Sequence, residues 1–350
     1  MRNPDRILLV RLSHLGDVVH ALGVFHALHA AFPRAEIGWA VQPEFAGLLE
    51  GLPGLARVLV FDRRGGPAAW WRLRRELARF RPDWSVDAQA NTKSGAVAWL
   101  SRAPRRVAPA RADWREPWAA WTANEHAAAL RAPARHALER MEALARALVP
   151  ALATPLRLDA GLSSVELELG EHELARRLPR DAALPVLLHL SSSGDVRGWP
   201  ATRWSELARA LAAERGALLL SGPAEEELGR TLARELAGEA RLAHWVGQRG
   251  LRALAAVFAA AARRGLELVA CDSGPMHLAA AHGLRVIALE GPQEAARTGP
   301  WPRAAHAVVR STHAPECAPC LARRCRHADG PVCMSGIGAA DVLAALARTR

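Results

Sequence analysis

Leu266-Glu267-Leu268-Val269-Ala270-Cys271-Asp272-Ser273-Gly274-Pro275-Met276-His277 is the stretch that decides the fold. The apolar run through Ala270 reads as a buried parallel strand, and the Ala-rich Leu278 to His282 reads as the first turns of a helix. Between them, Gly274 permits close backbone approach, and Pro275 suits the first helical position, where a missing N–H costs nothing. A strand that passes so directly into a helix aims free N–H groups and a positive dipole end at the space beyond the sheet, which is a seat for phosphate. Asp272 and His277 add groups able to hold a ribose, a diphosphate oxygen or a sugar.

The same strand–loop–helix pattern stands near the other end of the chain. Ile7 to Val10 is a short β-type run, Arg11-Leu12-Ser13-His14-Leu15-Gly16-Asp17 breaks it, and Val18 to Phe32 has helical periodicity. Gly16 gives the turn. Asp17 stands at the helix start, where it either caps the helix, as Asp commonly does, or serves the chemistry of the loop.

Outward from these two loops, short apolar runs alternate with helical patterns along the whole chain. The first series is Ile7–Val10, Glu36–Val41, Arg57–Phe61, Trp84–Asp87 and Arg106–Ala108; a Pro-bearing passage from Leu148 to Leu158 interrupts it. The second is Val186–Leu190, Ala217–Ser221, Leu242–Val246, Leu266–Cys271 and Val286–Leu289, with helices predicted over Thr202–Arg215, Glu225–Ala237 and Leu251–Arg264. Such alternation implies α/β architecture with parallel sheets. The expected organisation is two doubly wound domains, 1–155 and 156–335, and a final helix in 336–350 able to pack back on the first domain. Doubly wound domains bind ligands beyond the C-terminal ends of their strands.

Composition narrows the class. The 350 residues suit two domains, and half of them are apolar. With 46 basic against 35 acidic residues the formal charge is +11, which favours anionic partners such as nucleotides or a phosphorylated glycolipid. No motif that reads RNA or DNA is present, so nucleic acid is not an expected partner. The G-x-G-x-x-G fingerprint and the P-loop lysine motif are missing, which argues against a nicotinamide dehydrogenase. The N-terminal apolar run ends at Val10, so it does not read as a secretory leader, and no apolar window of about 18 residues reads as a spanning helix. A cytoplasmic protein, at most lying on a membrane surface, is expected.

Several of these stretches together resemble the ADP-heptose:lipopolysaccharide heptosyltransferases of glycosyltransferase family nine. They are Arg11 to His20, Asp87-Ala88-Gln89 with Lys93-Ser94, Arg115-Glu116-Pro117, and Asp272 to His277. His136-Ala137-Leu138-Glu139-Arg140 adds a likeness to the heptosyltransferase I branch. The resemblance implies a GT-B fold, two Rossmann-like domains facing a central cleft, with acceptor on the first and nucleotide sugar on the second. It implies an inverting transfer of heptose from ADP-heptose to the Kdo of the lipopolysaccharide inner core, with no cofactor required. Asp17 takes the position of the family's base. Ser191, Ser192, Arg197 (where the family usually has lysine), Glu225, Asp272, Ser273, Gly274 and His277 take donor positions. Ser13, Gly16, Lys93 and Arg115 are the acceptor-side candidates. A monomer, peripheral on the inner face of the inner membrane, is expected. The second heptosyltransferase, a family member using another nucleotide hexose, and a non-catalytic nucleotide-sugar-binding homologue are the alternative readings.

Two features lie outside the motifs. Eight of the twelve Trp fall in residues 1–121, and Arg63, Arg64, Arg72, Arg74, Arg75 and Arg79 surround Trp70 and Trp71. That is either an ordinary basic helix face or a surface for a phosphorylated glycolipid in a membrane. Cys317-x2-Cys320-x4-Cys325-x7-Cys333 is compatible with reduced structural thiols, a structural zinc or disulfides, and its spacing is not that of paired zinc knuckles. Cys271 reads as inert core.

Overall fold

A computed structural model describes residues 3–130, 136–152, 155–182, 184–191 and 196–348. The chain divides into two units, 1–161 and 162–350. The first contains β1 (Arg6–Val10), α1 (Leu15–Ala31), β2 (Glu36–Val41), α2 (Pro43–Leu49), β3 (Leu55–Val60), α3 (Gly66–Phe80), β4 (Trp84–Asp87), α4 (Thr92–Leu100), β5 (Arg105–Ala108), β6 (Glu125–His126) and α5 (Ala137–Leu148). Its six strands are all parallel, in the order β3-β2-β1-β4-β5-β6. The order reverses between β1 and β4, so the crevice beyond their C-terminal ends is where a doubly wound fold places its ligand.

Why these residues form this sheet is visible in β1. Ile7 to Val10 are buried on both faces, as a central parallel strand requires. Leu8 and Val10 join Leu73 and Leu77 of α3 and Val97 of α4 in one core, which puts α3 and α4 on the same face of the sheet. Trp39, in register with Leu9, turns the other way and meets Phe25 of α1 with ring centroids 6.0 Å apart.

The second unit contains α6 (Ser164–Arg177), β7 (Val186–His189), α7 (Ala201–Glu214), β8 (Ala217–Leu220), α8 (Glu226–Glu235), β9 (Leu242–Trp245), α9 (Leu251–Arg263), β10 (Glu267–Cys271), α10 (Gly274–Ala281), β11 (Arg285–Leu289), α11 (Ala295–Thr298), β12 (Ala307–Val309), α12 (Val332–Ser335) and α13 (Ala339–Ala347). Its parallel order β12-β11-β10-β7-β8-β9 reverses between β10 and β7. Trp199 and Trp204 pack edge to face at 4.9 Å in its core, and the Trp199 indole N–H donates to the Ile337 carbonyl at 3.0 Å.

The structure adds detail at three places. The division between units falls later than residue 155: Leu156 fills the space beside Gly23 of α1, and His26 Nε2 is 2.9 Å from the Asp159 carbonyl, so this passage stays with the first core. The final helix contributes to the second unit's own core, where Val342, Ala345 and Leu346 of α13 complete the cluster that α7 covers. Cys317, Cys320, Cys325 and Cys333 line one small pocket with His327, as free thiols. Among the described residues, no group of three or more His, Cys, Asp or Glu side chains is placed to hold a metal ion. Cys271 is buried as expected, and burial pushes its thiol up to about 12.

Gly170 lets α6 approach α9: a Cβ there would lie 2.5 Å from the backbone carbon and oxygen of Ala256. Helix propensity favours Ala over Gly by about 0.5–1 kcal/mol, but overpacking against backbone costs about 1–3 kcal/mol. Gly170→Ala is therefore expected to destabilise the second unit despite its better propensity. Denaturant unfolding checks this, and a gain in stability would show that α6 can move away without loss.

Candidate active site

At the switch point of the first unit, two loops meet across β1 and β4. The loop after β1 brings Arg11 and, in the first turn of α1, Asp17. His14 caps α1 with φ at 59° and makes no side-chain capping bond, while the Asp17 carboxylate turns to the Arg11 guanidinium. Asp17 is thus not the cap of its helix. Arg11, 9% exposed, also donates from Nη1 to the Ala88 carbonyl at 2.5 Å, which ties the β1 loop to the loop after β4. A second tie is the Leu12 N–H donating to Gln89 Oε1 at 2.7 Å, with Gln89 Nε2 3.3 Å from Ser13 Oγ.

Asp87, at the end of β4, organises that second loop from beneath. Its Oδ1 accepts from the Gln89 and Ala90 N–H groups at 2.8 and 3.0 Å, and its Oδ2 accepts from the Ser94 hydroxyl at 2.9 Å. Ala90 is held at φ 57°, and its carbonyl accepts from the Arg115 N–H at 3.0 Å. One carboxylate therefore fixes the loop that fixes Arg115.

The resulting pocket has a volume of about 230 Å³ and is lined by Arg11, Asp17, His20, Asp113, Arg115 and Arg140 together with backbone of the Ala88–Ala90 loop. Burial by itself would raise the Asp17 pKa, but the Arg11 guanidinium, with His14 Nδ1 3.6 Å from Oδ2, holds it well below the usual carboxylate range. Asp17 is accordingly an ionised acceptor of hydrogen bonds, its side chain 36% exposed to the pocket, among three arginines. Burial has the opposite outcome at Asp87, which is pushed up to about 6 in spite of its hydrogen bonds. The pocket can hold an anionic group on its arginines while Asp17 takes a proton from a neighbouring hydroxyl.

In the second unit the loops after β10, β7 and β8 are neighbours, because those strands adjoin. Asp272 and His277 are both buried, with His277 Nε2 3.5 Å from Asp272 Oδ1, and Arg197 Nη1 is 3.9 Å from Asp272 Oδ2. Ser273 and Gly274 begin α10, and the buried Ser273 hydroxyl has no hydrogen-bond partner among the described residues. Ser191 packs inward: its hydroxyl is 3.0 Å from Cys271 Sγ and accepts the Trp199 N–H at 3.3 Å. Glu225 lies in the short turn Pro223–Glu225 after β8, half-buried beside Gly222. Ser192 lies outside the described residues.

The structure thus joins Asp17 with Arg115 in one pocket, and Arg197 with Asp272 and His277 in one cluster. It does not bring every candidate along. Lys93 is exposed on the first turn of α4 and does not line the pocket; Ser13 braces Gln89, and Gly16 is buried in the first turn of α1. Lining residues to which the sequence motifs gave no role are Arg11, Gln89, Asp113, His20 and Arg140. His20 is buried with its ring 5.7 Å from that of His136. Arg11 directly follows a strand end, which is where a doubly wound fold collects functional groups, so its position was a usable signal. Glu290, directly after β11, is a further acid without a motif: it is 1% exposed and pushed up to about 7, first by burial and then by Asp272.

Comparison with known proteins supplies the family. Residues 70–329 match the family model described as glycosyltransferase family 9 (heptosyltransferase). Lipopolysaccharide heptosyltransferase 1 of Pseudomonas aeruginosa is 33% identical over 338 residues, covering 92% of this chain and 88% of that protein. Its Escherichia coli K12 namesake is 29% identical over 305 residues, covering 83% and 88%. Among solved structures, a family 9 glycosyl transferase from Veillonella parvula superposes with a TM-score of 0.76 at 20% identity, covering 98% of this chain and 96% of that one. The E. coli heptosyltransferase WaaC solved with ADP gives 0.72 at 24% identity, covering 99% and 100%. Those two likenesses show the same two-domain fold, and with the family model and the curated relatives they leave one assignment: this chain is an enzyme of glycosyltransferase family 9, the heptosyltransferases.

Proposed function

We propose that the enzyme transfers a heptose from ADP-heptose to the Kdo of the lipopolysaccharide inner core, with inversion at the anomeric carbon. The observation that carries this reading is the Asp17 carboxylate, kept ionised by Arg11 inside an arginine-lined pocket. Such a pocket suits an acidic sugar: Arg115 and Arg140 can take its carboxylate while a hydroxyl approaches Asp17. The donor half of the reading draws on relatives, since WaaC of E. coli has been solved with ADP and with ADP-2-deoxy-2-fluoro heptose.

In the displacement, the acceptor oxygen forms its bond to the anomeric carbon as the bond from that carbon to the ADP β-phosphate oxygen breaks. The hydroxyl proton passes to Asp17, and ADP leaves with the electron pair. A carboxylate paired with Arg11 is a weak base, but the hydroxyl becomes acidic as its oxygen bonds to carbon, so a weak, correctly placed base suffices. On the donor side, the charge that builds on the leaving diphosphate is met by Arg197 and by the N–H groups that open α10. Asp272 offers only carboxylate oxygens and so suits ribose or sugar hydroxyls rather than phosphate.

Asp17→Asn is expected to keep the fold and the affinity for ADP while lowering turnover at least about a hundredfold, the low end for a general base. A direct transfer assay measures this, and near-normal turnover would return Asp17 to a structural role. Arg197→Ala is expected to weaken ADP and intact donor alike by about 1.5–3 kcal/mol, the worth of a hydrogen bond to a charged group. Calorimetry reads it; unchanged ADP affinity would mean that Arg197 serves only its neighbour Asp272.

A further inference from the structure

Glu290 is a buried acid with little around it to stabilise a charge. It follows β11 directly, and its Oε1 has no hydrogen-bond partner among the described residues. Its Oε2 lies 3.5 Å from Arg310 Nη2, but that same nitrogen makes its shorter bond, 2.9 Å, to the Gln293 carbonyl. The Glu290 N–H is used by the sheet and donates to the Val309 carbonyl at 3.0 Å. An ionised carboxylate asks for several donors around its two oxygens. Glu290 would be left largely unsatisfied as an anion, whereas the protonated acid has far less to lose.

The strand register sets this acid beside the second unit's site. Leu289 of β11 pairs with Cys271 of β10, so Glu290 and Asp272 leave adjacent strands at the same level. Three charged groups act on Glu290: Asp272 after β10, Arg310 after β12, and Glu294 at the start of α11. Burial first and Asp272 second push its carboxyl up to about 7, against the pull of Arg310. Asp272 is itself flanked by His277 and Arg197. The next residue, Ser273, has a second buried oxygen without a partner among the described residues. Such unpaired buried groups are few in native folds and call for an explanation, a functional role being one.

We propose that Glu290 is a positioning residue of the donor site, which must be protonated for a nucleotide-sugar diphosphate to bind well, so that binding takes up a proton from solvent. This rests on the donor reading above, in which Arg197 and the N–H groups of α10 receive the diphosphate. A neutral Glu290 leaves that seat without a second carboxylate charge beside Asp272. An ionised one repels the incoming phosphates through an interior that screens poorly. The coupling runs both ways, because a bound diphosphate raises the proton affinity of Glu290 further. The sign follows: donor affinity is full while Glu290 is neutral and is lost as pH rises through about 7. If Glu290 only tied the loop after β11 to Arg310, removing its charge would weaken the fold and leave the pH profile of binding unmoved.

Calorimetry of the full chain with ADP-heptose tests this, since a diphosphate diester has no ionisation of its own near neutral pH. Glu290→Gln copies the neutral acid. Between about pH 6 and about pH 8 the parent's affinity should fall about tenfold more than that of Glu290→Gln. At the upper pH the parent should take up roughly half a proton more per site, read from buffers of different ionisation enthalpy. His277 is common to both proteins, so its titration cancels in the comparison. Arg310→Gln, at an exposed side chain, should move the parent's fall in affinity to higher pH, and it keeps the test open if Glu290→Gln does not fold. An equal pH slope and equal proton uptake in Glu290→Gln overturn the proposal, as does an unmoved profile in Arg310→Gln. Absence of ADP-heptose binding at every pH would defeat the donor reading itself, and the role of Glu290 with it.

Discussion

The first unit's site depends on one guanidinium. Arg11 is nearly buried, and its two terminal nitrogens serve different masters: one bonds the Ala88 carbonyl and the other meets Asp17. A planar fork can do both at fixed angle, whereas the point charge of a lysine could not. Without that link, the loops after β1 and β4 would lose one of their ties, and the partly exposed Asp17 carboxylate would lose the main charge that offsets its desolvation. Its ionisation, its direction and the pocket wall therefore rest on the same side chain.

The second unit solves a similar problem with the opposite arrangement. There the acid, Asp272, is the buried member, and the more exposed Arg197 reaches it from the loop after β7. His189 beneath that loop is lowered to about 4 by burial, so it contributes an uncharged ring. Glu290 behind Asp272 is pushed up to about 7, which softens the negative potential where an anionic ligand is expected. Fixed positive charge from Arg197 and a suppressed negative charge at Glu290 thus meet at one strand switch point.

Most of the architecture could be read from the chain. Strands such as Glu36–Val41 and Trp84–Asp87 carry enough consecutive apolar residues for both faces to be buried, and they appear with the expected limits. The edge strands β6 and β12 were invisible because two or three residues, Glu125–His126 and Ala307–Val309, carry no periodicity. The loop motifs pointed to both candidate sites, but not to the wiring within them. Nothing in the order of residues says that Arg11 reaches Ala88, or that Ser191 turns inward to Cys271, because these contacts cross the sheet between segments about eighty residues apart. Lys93 shows the converse limit: a motif position at a helix start fixes where the backbone goes, not which way a long side chain leaves it.

His14 and Ala90 hold left-handed backbone in the two loops that present Asp17 and Arg115. For residues with a Cβ this costs on the order of 1–2 kcal/mol each, and glycine would relieve it. The relief would come with a more mobile backbone at the two places where direction counts. In the evolution of such an enzyme these positions set stability against aim, so a search for hardier variants would be drawn first to the substitutions that loosen the site.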